Sequence, residues 1–191
     1  MAGNVQENVI LGSGELYITK YDETIDLETA TFFNTIEVET NKVGHIQGGA
    51  EIQYTPTLKE VVDDLGNILK RKITAETVTF KSGLLSVALE WLNRLVATGE
   101  LTEDTTNHLK ILKIGGSKRY NATAYLVHFV HTLDDGRKVR VTILGNSSNG
   151  FTMAFKADNE TVVDAEYKAL SQKDGTLVIF SEETQLPTEG A

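Results

Sequence analysis

The sharpest alternation of polar and apolar positions begins at His45. Odd positions read His45, Gln47, Gly49, Glu51 and Gln53, while even positions read Ile46, Gly48, Ala50, Ile52 and Tyr54. Successive side chains of a strand point to opposite faces, so this tract predicts a strand wet on one side and buried on the other. Pro56 has no amide to donate to a ladder and is expected to end it. Thr57 to Leu69 then predicts an extended loop, with Asp63-Asp64-Leu65-Gly66-Asn67 as its turn. A return strand from Lys70 to Phe80 sets Lys72, Thr74 and Glu76 against Ile73 and Ala75. Apolar Val78 and Phe80 break that phase and predict a bulge or bend near Thr77. Residues 43–80 therefore predict a long antiparallel hairpin carrying a loop at its tip.

The rest of the chain is read in the same way. Gly14 to Lys20 predicts a short strand, residues 21–34 a polar loop, and Thr35 to Thr40 a second strand. Leu85, Ala88, Leu89, Leu92, Leu95 and Val96 recur at helical spacing and predict one helix over about 83–98. Ser82 is its expected cap, Glu90 and Arg94 an i,i+4 pair, and Gly99 its C-terminal stop. Leu109 to Ile114 predicts a strand. Ala122 to Thr132, apolar on both faces, predicts a central strand covered on both sides. Asp134-Asp135-Gly136 predicts a hairpin turn into Lys138 to Leu144, followed by a loop over 145–150. Val162 to Leu170 and Leu177 to Phe180 predict a last hairpin through Asp174-Gly175. The fold class is thus mainly β, an antiparallel β-sandwich or barrel with one flanking helix. One domain is expected over 1–180, with an acidic flexible tail over 181–191.

Composition narrows the chemistry. The 191 residues hold 2 prolines, 16 glycines and no cysteine, which excludes disulfides, thiolate metal ligands and a thiol nucleophile. Net charge is −9 and lies at the ends, because residues 1–40 hold eight acids and one base while 161–191 hold six and two. That balance argues against a general grip on nucleic acid, which needs clustered basic charge. It suits either a solvated, self-repelling surface or one that must not stick to a passing polyanion. The N-terminus carries neither a basic region nor a long apolar run, and no stretch is apolar enough to span a bilayer, so a soluble intracellular product is expected.

No motif recommends an enzyme. His128 and His131 are three apart on a predicted strand and so face opposite ways, and no acid stands near His45 or His108 at ligand spacing. Gly12-Ser13-Gly14 lacks the helix that a phosphate loop needs, and Gly115-Gly116-Ser117-Lys118 lacks its upstream glycine. There is no Gly-x-Ser-x-Gly elbow, and the acid pairs Asp22-Glu23 and Asp63-Asp64 fall in predicted loops. Asn121, Asn146 and Asn159 open formal glycosylation sequons that matter only in a secreted chain. No cofactor, metal or catalytic residue is expected.

The order of elements is a stronger clue than any motif. An early strand, a long hairpin with a protruding loop, one helix and a run of antiparallel strands resemble the tail tube (major tail) proteins of tailed bacteriophages. Gly14-Glu-Leu-Tyr-Ile18 is similar to that family's first strand, and Gly48-Gly-Ala-Glu-Ile-Gln-Tyr-Thr-Pro56 to its first long hairpin strand. Glu76-Thr-Val-Thr-Phe-Lys-Ser-Gly-Leu-Leu85 resembles the strand-to-helix junction, and Glu166-Tyr-Lys-Ala-Leu170 with Asp174-Gly-Thr-Leu177 a late hairpin. The long excursion at 57–69 and the acidic tail depart from the pattern.

The resemblance implies hexameric rings stacked into a hollow tube through which DNA passes during ejection. It implies a virion protein made in the host bacterial cytoplasm, with a tape measure protein inside the tube, a tail terminator at its end and no membrane insertion. In that reading Gln47, Glu51, Gln53, Lys72, Thr74 and Glu76 face an acidic lumen along which phosphates slide, Lys72 running against the trend. Leu58, Lys59, Glu60, Asp63, Asp64 and Arg71, together with the N-terminal segment, contact other subunits or rings, so deleting 58–68 leaves a folded protein that does not polymerise. In a monomer the same polar face would meet bulk solvent. The competing readings are the tube of a contractile injection or secretion particle, a β-sandwich carbohydrate-binding module, and a hydrolase with an unrecognised acid pair.

Overall fold

The structure is a computed structural model that describes residues 14–85, 88–120, 123–147, 149–153, 155 and 161–186. The N-terminal segment before Gly14, the expected strand start at Ala122, the sequons at Asn121 and Asn159 and the last five residues lie outside the described part. The described residues form nine strands and two α-helices, in chain order β1 (Glu15–Lys20), α1 (Ala30–Ile36), β2 (Ile46–Val62), β3 (Ile68–Leu84), α2 (Leu89–Arg94), β4 (Gly99–Asp104), β5 (Leu109–Ile114), β6 (Tyr125–Thr132), β7 (Lys138–Ser147), β8 (Val163–Ala169) and β9 (Ile179–Glu182). The mainly β, antiparallel expectation is met.

One sheet runs in the order β1-β6-β7-β8-β3-β2, with β9 also paired to β7, and β4 and β5 form a separate hairpin. The sheet curls. Phe80 on β3 and Phe129 on β6 have ring centroids 6.4 Å apart. In a flat sheet the three strand steps between them would separate them by roughly 14 Å. The curl lets Leu16, Ile18, Val127 and Ile143 from one end share a core with Val78, Phe80, Leu84, Val163 and Tyr167 from the other. Strand β6 is buried on both faces, as its two-sided apolar sequence predicts.

The outer face of β1, β6 and β7 is covered by α1, where the sequence predicts a loop and then a strand. Thr29 caps this helix by accepting from the Phe32 amide at 3.3 Å. Phe32 and Ile36, four apart and so on one helical face, bury against Tyr17, Leu126, Val130 and Leu144. The tract reads as irregular because it is short and rich in threonine and aromatic residues, which are weak helix formers. Packing, not propensity, makes the helix. The expected strand at 35–40 is replaced by the end of α1 and a 3-10 turn at Glu39–Asn41.

The second helix is shorter than predicted. Strand β3 continues to Leu84, so Ser82 is a strand residue whose hydroxyl donates to the Gly49 carbonyl, and Ala88 stands at the cap of α2. Ser86 and Val87 of the expected helix lie outside the described residues. Glu90 pairs with Lys110 at 2.5 Å instead of with Arg94. Arg94 turns inward, donates to the Ile18 carbonyl and lies over the Trp91 ring at 4.3 Å. Gly99 opens β4 rather than stopping the helix, and a Cβ there would meet Asn93 Oδ1 at 2.2 Å. Strand β4 had no counterpart in the sequence reading.

Two further expectations change at the C-terminal end. Strands β8 and β9 turn at Gln172–Thr176 but do not form a hairpin, because β9 pairs with β7 and β8 lies between β7 and β3. The body extends past 180, since Ser181 and Glu182 belong to β9 and the Glu183 amide donates to the Lys138 carbonyl. Strand β7 also runs to Ser147, into the expected loop. Gly145 marks its crossing with β8, where an added Cβ would sit 2.7 Å from the Lys168 carbonyl oxygen. The clashing atoms belong to the Lys168 backbone and cannot swing away as a side chain would, so Gly145→Ala is expected to cost about 1–3 kcal/mol in a urea unfolding curve. A cost below about 0.5 kcal/mol would show that the two strands separate freely there.

Candidate assembly surface

Alternation does not stop at Pro56. The sequence continues Pro56, Leu58, Glu60, Val62 on one phase and Thr57, Lys59, Val61 on the other, and β2 continues with it to Val62. The loop expected at 57–69 is therefore mostly strand, and the turn is only Asp63–Asn67. Pro56 is tolerated because β2 is the last strand of the sheet, where a missing amide need not break a ladder. Beyond Val78 the hairpin leaves the body as an arm. From Gln53 to Val62 it extends roughly 30 Å, given ~3.3 Å per strand residue.

The tip is tightly built. The Asp63 carboxylate accepts from the Leu65 and Asn67 amides at 3.0 and 2.7 Å and from Asn67 Nδ2 at 2.9 Å. Asn67, foremost through its side chain, holds the Asp63 carboxyl below the usual carboxylate range. Gly66 takes a φ of 84°, which a side chain would strain.

Register decides which residues share a face. Glu51 lies opposite Lys81, Gln53 opposite Thr79 and Thr55 opposite Thr77, while Ile52 lies opposite Phe80, Tyr54 opposite Val78 and Pro56 opposite Glu76. The bulge expected near Thr77 sits at Thr74, which is left over between the pairs Thr57–Ala75 and Leu58–Ile73. Its hydroxyl donates to the Thr57 carbonyl at 3.1 Å. Past this bulge the phase of β3 shifts by one. Lys72 now falls with Lys59 on the polar face, and Ile73 and Arg71 fall with Leu58 and Glu60 on the other.

The predicted polar-face set is therefore split. Gln47, Glu51, Gln53 and Lys72 share one face; Thr74 occupies the bulge; Glu76 is on the opposite face, where its Oε1 accepts from the Tyr54 hydroxyl at 2.6 Å. Losing Glu76 changes the charge of that face. Along the hairpin it carries the acid Glu51 against Lys59, Lys70, Lys72 and Lys81, the last paired with Glu166 of β8 at 3.6 Å.

The other face is apolar and only partly covered. Within the body its residues Val78 and Phe80 are 0% and 1% exposed, but along the arm Tyr54, Leu58, Val62, Ile68 and Ile73 are each about half exposed. A single ion pair, Arg71 Nε to Glu60 Oε1 at 2.6 Å, interrupts the stripe. Among the described residues no strand pairs with the outer edge of β2. Of the predicted contact residues, Leu58, Glu60 and Arg71 lie on the apolar face, Lys59 on the polar face, and Asp63 and Asp64 in the tip. Tyr54, Val62, Ile68 and Ile73 are exposed on the same apolar face but are not in the predicted set; the alternation past Pro56 marks Val62, and that of the two predicted strands marks Tyr54 and Ile73.

A second polar constellation lies inside the body. Glu37, at the end of α1, accepts from Arg140 Nε at 2.5 Å and Lys138 Nζ at 2.7 Å, with His128 Nε2 at 3.4 Å. Arg140 also pairs with Glu183 at 2.7 Å and lies over the Phe33 ring. His128 is fully buried between Phe32, Phe33 and Tyr17, with Nδ1 2.8 Å from the Thr142 hydroxyl. Burial drives the His128 pKa down. Burial alone would raise the Glu37 carboxyl, but the hydrogen bonds from His128, Arg140 and Lys138 outweigh it and hold its pKa at about 2. Every polar group here is engaged with another, so the arrangement ties α1, β6, β7 and the β9 end together. Nothing in the acidic run that contains Glu37 singled it out.

Among the described residues no group of three His, Cys, Asp or Glu side chains could hold a metal ion, and no helix is long and apolar enough to cross a membrane. No protein-family model matches the chain, and no curated protein matches it significantly.

Proposed function

We propose that this chain is the subunit of a bacteriophage tail tube, closing into hexameric rings that stack around a channel for DNA. One observation carries the reading: the apolar face of the arm is continuous with the hydrophobic core yet half exposed in a single chain, beside a strand edge that none of the described strands pairs. A flat, apolar, unpaired edge invites another strand. In a ring the same head-to-tail contact repeats and closes, so each edge and each stripe is covered by a neighbouring copy. The polar face of the arm is then directed away from the packed side, toward the channel. The virion tail is the expected location, with a tape measure protein within the tube and a terminator at its end. A carbohydrate-binding module gains no support from Trp91, whose ring is capped by Arg94 rather than open as a platform. Negative-stain electron microscopy with light scattering on the purified protein tests the reading. Rings or hollow tubes are expected, and a monomer at every concentration and salt would count against it.

A further inference from the structure

The outer half of the arm gathers cations on its polar face. Lys59 lies directly opposite Lys72, and Lys70, two residues along β3 and on the same face, lies opposite Val61. Like charges placed directly across a ladder destabilise it, so this pairing weakens the isolated chain. None of the three lysines takes part in the ion pairs of the described residues. Of the acids of the arm, Glu60 and Glu76 are on the other face and engaged with Arg71 and Tyr54, while Asp63 and Asp64 lie in the turn, where the Asp63 carboxylate is held by Asn67. Around the lysines the face carries the hydrogen-bonding groups Gln53, Thr55, Thr57 and Thr77, with Ala75 and a half-exposed Val61 as its apolar positions. In a chain of net charge −9 this is a local concentration of positive charge.

We propose that this face contacts the phosphate backbone of DNA through Lys59, Lys70 and Lys72. The residue types favour phosphate over an acidic protein surface. Lysine is depleted in the cores of protein interfaces, whereas hydroxyl, amide and lysine side chains are those that meet phosphate oxygens without reading bases. Apart from Val61, the large apolar anchors a protein partner would want are on the opposite face of the same arm. The inference deepens the tube reading, which brings passing DNA against this surface, and it replaces an acid-lined repelling channel with one that has weak, sequence-independent contacts. Three point charges give contacts that salt screens readily, so DNA is held in register without being trapped.

The test uses the full chain and a labelled duplex DNA of arbitrary sequence, followed by fluorescence anisotropy across a salt series. Binding at low salt is expected, with a log–log salt slope of about −3, close to the ~0.9 counterions released per neutralised phosphate. The variant K59Q/K70Q/K72Q should lose it while keeping the parent's circular dichroism. Absence of binding by the parent chain, or undiminished binding by the variant, overturns the inference. Absence of DNA binding together with altered self-association in the variant overturns it too, and assigns the lysines to acids of a neighbouring copy. Tubes that never contact DNA defeat this inference alone, and DNA contact by a chain that never forms rings defeats the tube reading alone.

Discussion

Glu37→Gln will lower the stability of the folded chain by about 3–5 kcal/mol, the range for breaking a buried ion pair from one side. The Glu37 side chain is only 10% exposed and that of Arg140 7%, so water cannot replace the lost charge. Gln still offers an oxygen to Arg140, but Lys138 and Arg140 then confront one another around a neutral group with Glu183 as the remaining anion. For a chain of this size the loss corresponds to a fall in Tm of roughly 10 °C. Adding Arg140→Met removes the stranded cation and should recover part of it. A Glu37→Gln midpoint within a degree or two of the parent would show that the network is not a net contributor.

The same network sets the response to acid. The folded-state pKa of Glu37 lies below its ordinary 4.5, so its contribution is complete above that value and lost as pH falls toward about 2. That shift corresponds to roughly 3 kcal/mol. His128 is also depressed from its ordinary 6.5, by burial first, so its neutral form is favoured in the fold and stability begins to fall as pH drops below that value. Urea midpoints measured across pH should decline in two stages, with the lower stage reduced in Glu37→Gln. An unchanged lower stage in the variant would assign the acid response to other carboxylates.

The second large effect concerns assembly rather than folding. Leu58→Asp combined with Ile73→Asp places two carboxylates opposite one another on the apolar face of the arm, about halfway along its exposed part. Both positions are already about half exposed, so the monomer loses little: their combined burial is worth on the order of 2 kcal/mol. In a ring, however, each aspartate would be buried against a neighbour without a partner, a cost of several kcal/mol per copy repeated at every interface. The double variant should remain folded, with a Tm several degrees below the parent's, and yield no rings or tubes. Normal tubes from it would remove the arm's apolar stripe from the interface. Replacing Leu58–Ile73 by an Asn-Gly turn removes the tip without touching the core and should give the same separation of folding from assembly.

Much of the body was legible because it obeys simple periodicities. The alternation from His45 to Tyr54 placed the hairpin, and the two-sided apolar run around Leu126 placed β6 in the middle of the sheet. Misreadings arose where a local signal competed with a tertiary one. Pro56 looked like a stop because a proline interrupts a central strand, and only the position of β2 at the sheet edge removes that objection. Ser82 looked like a helix cap because serine favours that role, yet the pairing of β3 with β8 draws it into the sheet. The Thr74 bulge lies three residues from the place the phase break suggested, and that displacement alone moved Glu76 to the other side of the arm.

By itself, then, the sequence determined the strand-rich antiparallel class, the long hairpin, the two-sided central strand and the absence of thiol chemistry. These follow from side-chain periodicity and composition, which act over a few residues. Tertiary structure alone decided that α1 is a helix, that β9 joins β7, that Glu37 is enclosed by Arg140, Lys138 and His128, and that the arm carries lysines on one face and apolar residues on the other. Each of these depends on which segments lie side by side. A ladder's register or a buried ion pair joins residues tens of positions apart, and no local pattern records the partner.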